Sequence, residues 1–524
     1  MTMRLILLAA IVLCSTSMAR AADALLGLFT DQSDIGPPST PGPGTAAFDP
    51  EKKSYTVTGG GDNMWAATDA FHFVWKRMSG DVTLAATVEF AASTGADPHR
   101  KAVLMLRQSL DPASPYADAC LHGNGLTAIQ WRDAKGDVTY ETQAQANAPK
   151  RVRIEKRGNY LSMSFGTSDS DLQPVGGACK VELPGEYYIG LGVGAHSAAR
   201  LEKAVFSDVV LTPIAATAPA TGRGAGGART NLISTLETIQ LSSKDRRAVC
   251  VITQPGLTRA EAPNWSADNI LYFNNGGKMW KVKADLPAST PPTVAMPAPV
   301  ALNLGILTNI NNDHAISFDG KWLGISDQSQ GNRQSAVWVV PIEGAGTVAP
   351  RRLTEATPSY FHGWSPDGKL LAFCGQRNNN FDIYTVPFEG GAEKRLTDSA
   401  GKDDGCEYSP DGQYIYFNSD RSGAMQIWRM KADGSAQEQL TKDDVNNWFP
   451  HISPNGQQMV FLTYERGVVD HPENKDVQLR VMNLRTGAVT LLAKLFGGQG
   501  TMNVPSWSPN SQYIAFMSYQ IVPQ

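Results

Sequence analysis

Residues 360–373 read YFHGWSPDGKLLAF, and the core of that stretch, Trp364-Ser365-Pro366-Asp367-Gly368, recurs six times along the chain with small changes. The copies are WSADN (265–269), ISFDG (316–320), WSPDG (364–368), YSPDG (408–412), ISPNG (452–456) and WSPNS (507–511). Their serines, at 266, 317, 365, 409, 453 and 508, lie 51, 48, 44, 44 and 55 residues apart. A period in the forties with strands inside it marks a propeller. In each unit an aromatic residue or Ile plus Ser ends an inner strand. Asp-Gly or Asn-Gly then turns the chain, because those residues accept positive φ. A second strand follows (KWLGIS, KLLAFCG, QYIYFNS, QQMVFLT, QYIAFMS), then a third (KMWKVKA, AVWVVPI, DIYTVPF, QIWRMKA, LRVMNLR). The unit closes at Leu353-Thr354, Leu396-Thr397 or Leu440-Thr441. One four-stranded unit cannot bury both faces alone, whereas six around an axis can.

Only 16 residues follow Ser508, room for one strand, so the last unit is short. Residues 236–253, LETIQLSSKDRRAVCVIT, hold two strands ahead of the first motif. Residues 231–524 are therefore expected to form a six-bladed β-propeller closed by two strands from each end of the segment.

The rest of the chain is also all-β in pattern. Residues 25–213 alternate apolar and polar positions in DVTLAATVEFA, KAVLMLRQS, YADACLHG, LTAIQWRD, RVRIEKRG, YLSMSFG and EYYIGLGVGA, which reads as a β-sandwich. Residues 214–230, IAATAPATGRGAGGART, read as a flexible linker. Residues 1–21 place Arg4 before an apolar run and end Ala19-Arg20-Ala21, the pattern of a secretory signal peptide. No later stretch is apolar for long enough to span a bilayer, so the expected location is periplasmic or secreted. A formal charge of -4 gives no basic excess for nucleic acid. Beyond the leader stand Cys120, Cys179, Cys250, Cys374 and Cys406. Cys120 with Cys179, or Cys374 with Cys406, are candidate disulfides, and buried thiols are the alternative.

The six in-phase motifs resemble the TolB-like propellers of bacterial periplasms, which carry the same W-S-P-D-G core. The stretch HRKAVLMLRQSLDPASPYADACLHGNGLTAIQWR resembles concanavalin-like (laminin-G or glucanase-like) jelly rolls. The second resemblance implies glycan binding on a concave face, with Trp65, Trp75, His99, Arg100, Arg107, His122 and Trp131 as candidates. The Tol-system protein carries a small α/β domain where this chain carries the sandwich.

Loops leading into inner strands share one face of a propeller with the loops between second and third strands. Just ahead of the motif serines lie His314, His362, Glu407 and His451. Imidazoles and a carboxylate suit a divalent metal such as Mn, Zn, Fe or Ni. A straight strand would point His362 and Glu407 to opposite sides, so their convergence requires a local irregularity. On the same face Tyr360, Asp404, Asn446, Asn447, Trp448 and Asn503 are candidate substrate contacts. Arg377 and Arg421 are candidate anion clamps, and His471, in the insertion ERGVVDHPENKD, is a candidate mobile base. The three histidines ahead of inner strands make the chain similar to oligogalacturonate lyases, TolB-like propellers that hold a metal with three histidines and a glutamine. That similarity implies metal-assisted proton abstraction from an acidic sugar.

Two expectations follow. One is an exported carbohydrate-active or carbohydrate-binding protein, with glycan held by the sandwich and bound or cleaved at the propeller. If it is an enzyme, it is a metal-dependent lyase or hydrolase. The other is a non-catalytic TolB-like scaffold that takes a protein or peptide at the funnel. A third possibility leaves the histidines purely structural.

Overall fold

The computed structural model describes residues 26–147, 150–215, 231–253, 259–284, 298–346 and 348–522. The signal-peptide expectation and most of the linker fall outside these residues. Near residue 224 the chain divides into two compact units.

In the first unit two antiparallel sheets pack face to face. One runs in the order Asp31–Ile35, Phe71–Ser79, Glu186–Gly194, Lys101–Arg107, Tyr116–His122, Leu126–Arg132, Tyr140–Asn147. The other is centred on Arg151–Arg157, Asp81–Phe90, Ser197–Ile214 and Ser54–Gly61. Strand alternation sends Ala102, Leu104, Leu106, Ala117, Ala119 and Leu121 between the sheets, all fully buried or nearly so.

The opposite face of the first sheet is buried as well. There the hairpin Met64–Trp65/Thr68–Asp69 is bound by polar groups. Arg132 donates to the Ala66 carbonyl at 2.8 Å and to Asp69 at 2.7 Å. Arg107 lies 3.4 Å from the other Asp69 oxygen, and Lys101 Nζ donates to the Met64 carbonyl at 2.9 Å.

Among the described residues the second unit holds five four-stranded antiparallel sheets. Their first strands are Glu261–Trp265, Ile310–Ile316, Ser359–Trp364, Asp403–Tyr408 and Asn447–Ile452. Six four-stranded units were expected. The sixth repeat instead forms a strand, Tyr513–Val522, paired with Asn231–Gln240, which pairs with Arg246–Ile252. Trp507 adds only an isolated bridge to Ile514. The strands ahead of the first motif thus meet the last strand of the chain.

The repeated motif is a folding device. Each serine hydroxyl donates to the Asp or Asn two residues on, at 2.5–2.8 Å. It also accepts from the backbone N–H that starts the next strand, at 2.9–3.0 Å. The residue after each Asp or Asn is left-handed in all six copies: Asn269, Gly320, Gly368, Gly412, Gly456 and Ser511, with φ from 59° to 72°. Neighbouring units are clasped by the same motif. Trp364 Nε1 donates to the Ala315 carbonyl at 3.0 Å, and Trp507 Nε1 to the His451 carbonyl at 2.9 Å. The closing threonines accept too: Val337, Ile383 and Ile427 N–H donate to Thr354, Thr397 and Thr441 at 2.8–2.9 Å.

The five cysteines among the described residues are all buried, and neither candidate disulfide forms. Burial pushes the Cys250 thiol up to about 12. Among the described residues no helix is long and apolar enough to cross a membrane.

Candidate functional site

The required irregularity exists, and it is systematic. All five inner strands break register with their second strand just before the motif. The breaks fall between Glu261 and Asn264, Ile310 and His314, Phe361 and Gly363, Asp404 and Glu407, and Trp448 and His451. Such bulges re-aim side chains next to functional sites. Ala262, Gly405 and Phe449, each four residues before a serine, have φ of 57°, 60° and 54°. A bulky aromatic in that conformation is strained, and strain of this kind clusters at sites.

The bulges do not gather the four expected metal ligands. His451 Nδ1 lies 2.5 Å from Glu407 Oε2, while Glu407 Oε1 accepts the Ile452 N–H at 3.0 Å, so this pair clasps the fourth unit to the fifth. His362 is bonded to Asp404 instead, at 3.1 Å. Both ring nitrogens of His314 are buried without a hydrogen-bond partner, and burial alone lowers its pKa to about 3. Among the described residues no three His, Cys, Asp or Glu come together as a metal site.

What the bulges do gather is a polar network around the mouth of the propeller. The position five residues before each motif serine carries Glu261, Asn312, Tyr360, Asp404, Trp448 and Asn503. Lys402 Nζ stands 3.4 Å from Asp404, 3.3 Å from Asp470 and 3.3 Å from His471 Nε2. It also lies over the rings of Trp448 (5.0 Å) and Phe381 (5.6 Å). Because Lys402 can only donate, His471 accepts at Nε2 and donates from Nδ1 to Gln499 Oε1 at 2.6 Å. Asn503 Nδ2 donates to the same Gln499 oxygen at 3.1 Å. His471 packs edge-on to Trp448 and Phe449, with centroids 4.4 and 5.3 Å away.

Burial and pairing set the charges here. Burial opposes the charged form of Asp404, but Lys402 and His362 outweigh it and hold the carboxyl well below the usual carboxylate range. Burial also opposes a charged His362, yet its bond to Asp404 and the nearby Asp313 raise its pKa. Burial lowers His471, helped by Lys402. Asp313 is raised to about 6, first by burial and then by Asp404 and Glu261.

The remaining candidates hold structure together. Arg377 binds Glu393 at 2.9 Å and the Pro358 carbonyl at 2.9 Å. Arg421 binds Asp403 at 2.7 Å and Gln437 at 2.5 Å. Asn446 bridges the Met425 N–H and the Val468 carbonyl. Asn447 links Asp443 to Thr463. Trp448 is 1% exposed and belongs to a hydrophobic core, so it offers no open stacking face. In the first unit Arg107, His122 and Trp131 are buried, and Trp75 packs on Tyr188 at 4.8 Å. Lys402, Asp470, Phe381, Phe449 and Glu261 were not anticipated. The five-before-serine pattern points to Glu261, whereas Lys402 and Asp470 carry no sequence signal.

The opposite face of the propeller carries the motif turns. It holds an axial cavity of about 470 Å³ lined by Trp265, Ile316, Trp364, Tyr408, Ile452 and Trp507, one residue from each repeat.

Residues 315–522 match the family described as PD40, TolB beta propeller domain. An uncharacterized protein, Atu1656, of Agrobacterium fabrum is 42% identical over 260 residues, which make up 49% of this chain and 84% of that protein. The structure of a putative TolB from Agrobacterium tumefaciens aligns at 41% identity with a TM-score of 0.51, covering 56% of this chain and 99% of that one. An oligogalacturonate lyase from Vibrio parahaemolyticus aligns at 14% identity with a TM-score of 0.34, covering 54% and 78%, too remote to carry an argument. Over the C-terminal half of its length the chain belongs to the family of TolB-like β-propeller proteins.

Proposed function

We propose that this protein is an exported TolB-like propeller that recognises a segment of a protein partner at its mouth and does not transform it. The supporting observation is that the ionisable groups there neutralise one another. Lys402 sits among Asp404, Asp470 and His471, while Arg377 is tied to Glu393 and Arg421 to Asp403. None of these is held as an open base, nucleophile or ligand, which catalysis requires. The rim suits contact: Val469 is 84% exposed, Asp470 is exposed beside it, and Tyr360 and Phe381 are half-buried with centroids 6.4 Å apart. The matching partner is a short segment with a basic residue for Asp470 and an apolar one for Val469.

Three finer points belong to this proposal. The sixth repeat completes a sixth blade, supported by the bridge from Trp507 and by a cavity to which all six repeats contribute. The N-terminal unit is a concanavalin-like jelly roll. Residues 1–21 are a cleaved leader, which places the protein in the periplasm or outside the cell.

The test is a photo-crosslinking amino acid at position 469 in the full chain, expressed in cells. A discrete protein adduct that disappears with Asp470→Lys or Tyr360→Ala is expected. If no protein is captured while purified neutral or acidic glycans bind the same face, the carbohydrate expectation replaces this one.

A further inference from the structure

The residues on either side of each motif serine line the axial cavity of the turn face. The residue before it is Trp265, Ile316, Trp364, Tyr408, Ile452 or Trp507, all of them in the wall. The residue after it lines the cavity in five repeats, as Ala267, Phe318, Pro410, Pro454 and Pro509. Phe318 is the exception among these. The equivalent position holds alanine in the first repeat and proline in the other four. Its ring is large and apolar, yet 52% exposed. Ligand sites run from roughly 300 to 1,000 Å³ and are lined mainly by apolar and aromatic side chains. A cavity of about 470 Å³ walled by such rings, with an exposed phenylalanine in its lining, has that character.

The polar groups of the lining are nearly all engaged. Glu407, its one carboxylate, is held by His451 and by the Ile452 N–H. Asn264 donates to the Pro505 carbonyl and accepts from the Ile316 N–H. The Ser266 and Ser317 hydroxyls are tied into their own turns. Trp364 and Trp507 Nε1 donate to carbonyls of the preceding repeats. Two polar atoms are left over. Trp265 Nε1 and the Tyr408 hydroxyl are buried without a hydrogen-bond partner among the described residues. A buried polar group without a partner is costly, and a bound molecule can supply the partner. The indole N–H can only donate, and the phenol can donate or accept, so the molecule must bring an acceptor. The lining holds no lysine, arginine or histidine, and its carboxylate is already paired, so nothing there favours a charged guest.

We propose that the axial cavity of the turn face binds a neutral aromatic compound carrying a hydrogen-bond-accepting oxygen, of the aryl ketone type. The rings of the wall and Phe318 take its apolar body, and the open polar atoms of Trp265 and Tyr408 take its oxygen. The site is separate from the mouth network and stands whether or not that face takes a protein partner.

Calorimetric titration of the full chain with 2-acetylnaphthalene, naphthalene and 2-naphthoate tests it. The ketone is expected to bind at least tenfold more tightly than the hydrocarbon, which has no acceptor, and than the anion. Phe318→Ala should weaken the ketone at least fivefold with the urea midpoint unchanged, because that ring is exposed. Ile316→Trp, which copies the residue that three other repeats carry there, should fill the cavity and abolish binding. If that variant fails to fold, Phe318→Ala decides alone. Tyr408→Phe should cut the advantage of the ketone over naphthalene at least threefold. Failure of the ketone to bind overturns the proposal. So does ketone binding indifferent to Phe318→Ala, an advantage untouched by Tyr408→Phe, or tighter binding of 2-naphthoate.

Discussion

Asp313 shows what the mouth of the propeller costs. Its carboxyl is 6% exposed, accepts from Asn311 at 2.9 Å, and is raised to about 6 by burial, Asp404 and Glu261. A raised carboxyl favours the folded state while protonated. That contribution is whole below the unfolded value of about 3.9 and is lost as pH climbs through about 6. Two pKa units correspond to about 3 kcal/mol. Asp313→Asn should therefore stabilise the protein by about 1–3 kcal/mol at pH 8 and hardly at all at pH 4, read from urea unfolding at both values. Equal gains at both would mean that packing, not ionisation, is responsible. Asp404 runs the other way: its depressed carboxyl stabilises above the ordinary carboxylate range and loses that effect as pH falls. Histidine positions were legible ahead of the structure, but their partners were not. The fate of His362 depends on Asp404 in the next unit, 42 residues away. His314, at the end of the register break in its strand, has no hydrogen-bond partner among the described residues.

At the scale of the element, the motif hairpin was the most legible feature of the chain. Ser, Asp and Gly act within five residues of one another, so their bonds are local and independent of the fold around them. Gly368 isolates one part of that device. Its φ is 71°, and an added Cβ would meet nothing within 4 Å, so Gly368→Ala carries only the conformational penalty. A loss of about 1 kcal/mol is expected, visible as a lower urea midpoint with unchanged slope. A loss several times larger would show that the turn also packs. Gly324, by contrast, is required for space, since a Cβ there would sit 2.4 Å from the Phe361 ring. The bulges in the inner strands were legible only as a requirement. A bulge is set by the competition between two strands for register, and alternation of residue types within one strand does not encode it.

Closure of the ring belongs to the whole molecule. Asn231–Gln240 pairs with Tyr513–Val522 along its full length, joining segments more than 270 residues apart. Glu237 within that strand takes Arg246 on one side and Ser518 on the other. A chain of residues 231–524 should melt in one cooperative transition by calorimetry. A chain of 254–524, lacking both leading strands, should be insoluble or melt broadly, because Tyr513–Val522 is left with an unpaired edge. Equal cooperativity in the two would show that the leading strands are dispensable.

By itself the sequence determined the all-β class, the repeat and the turn that ends each inner strand. Those features depend on composition and on contacts a few residues long. Only the tertiary structure decided which side chains share the mouth and which line the axial cavity. Those outcomes depend on bulge register and on the volume of residues contributed by different repeats, such as Ile316, Ile452 and Trp364.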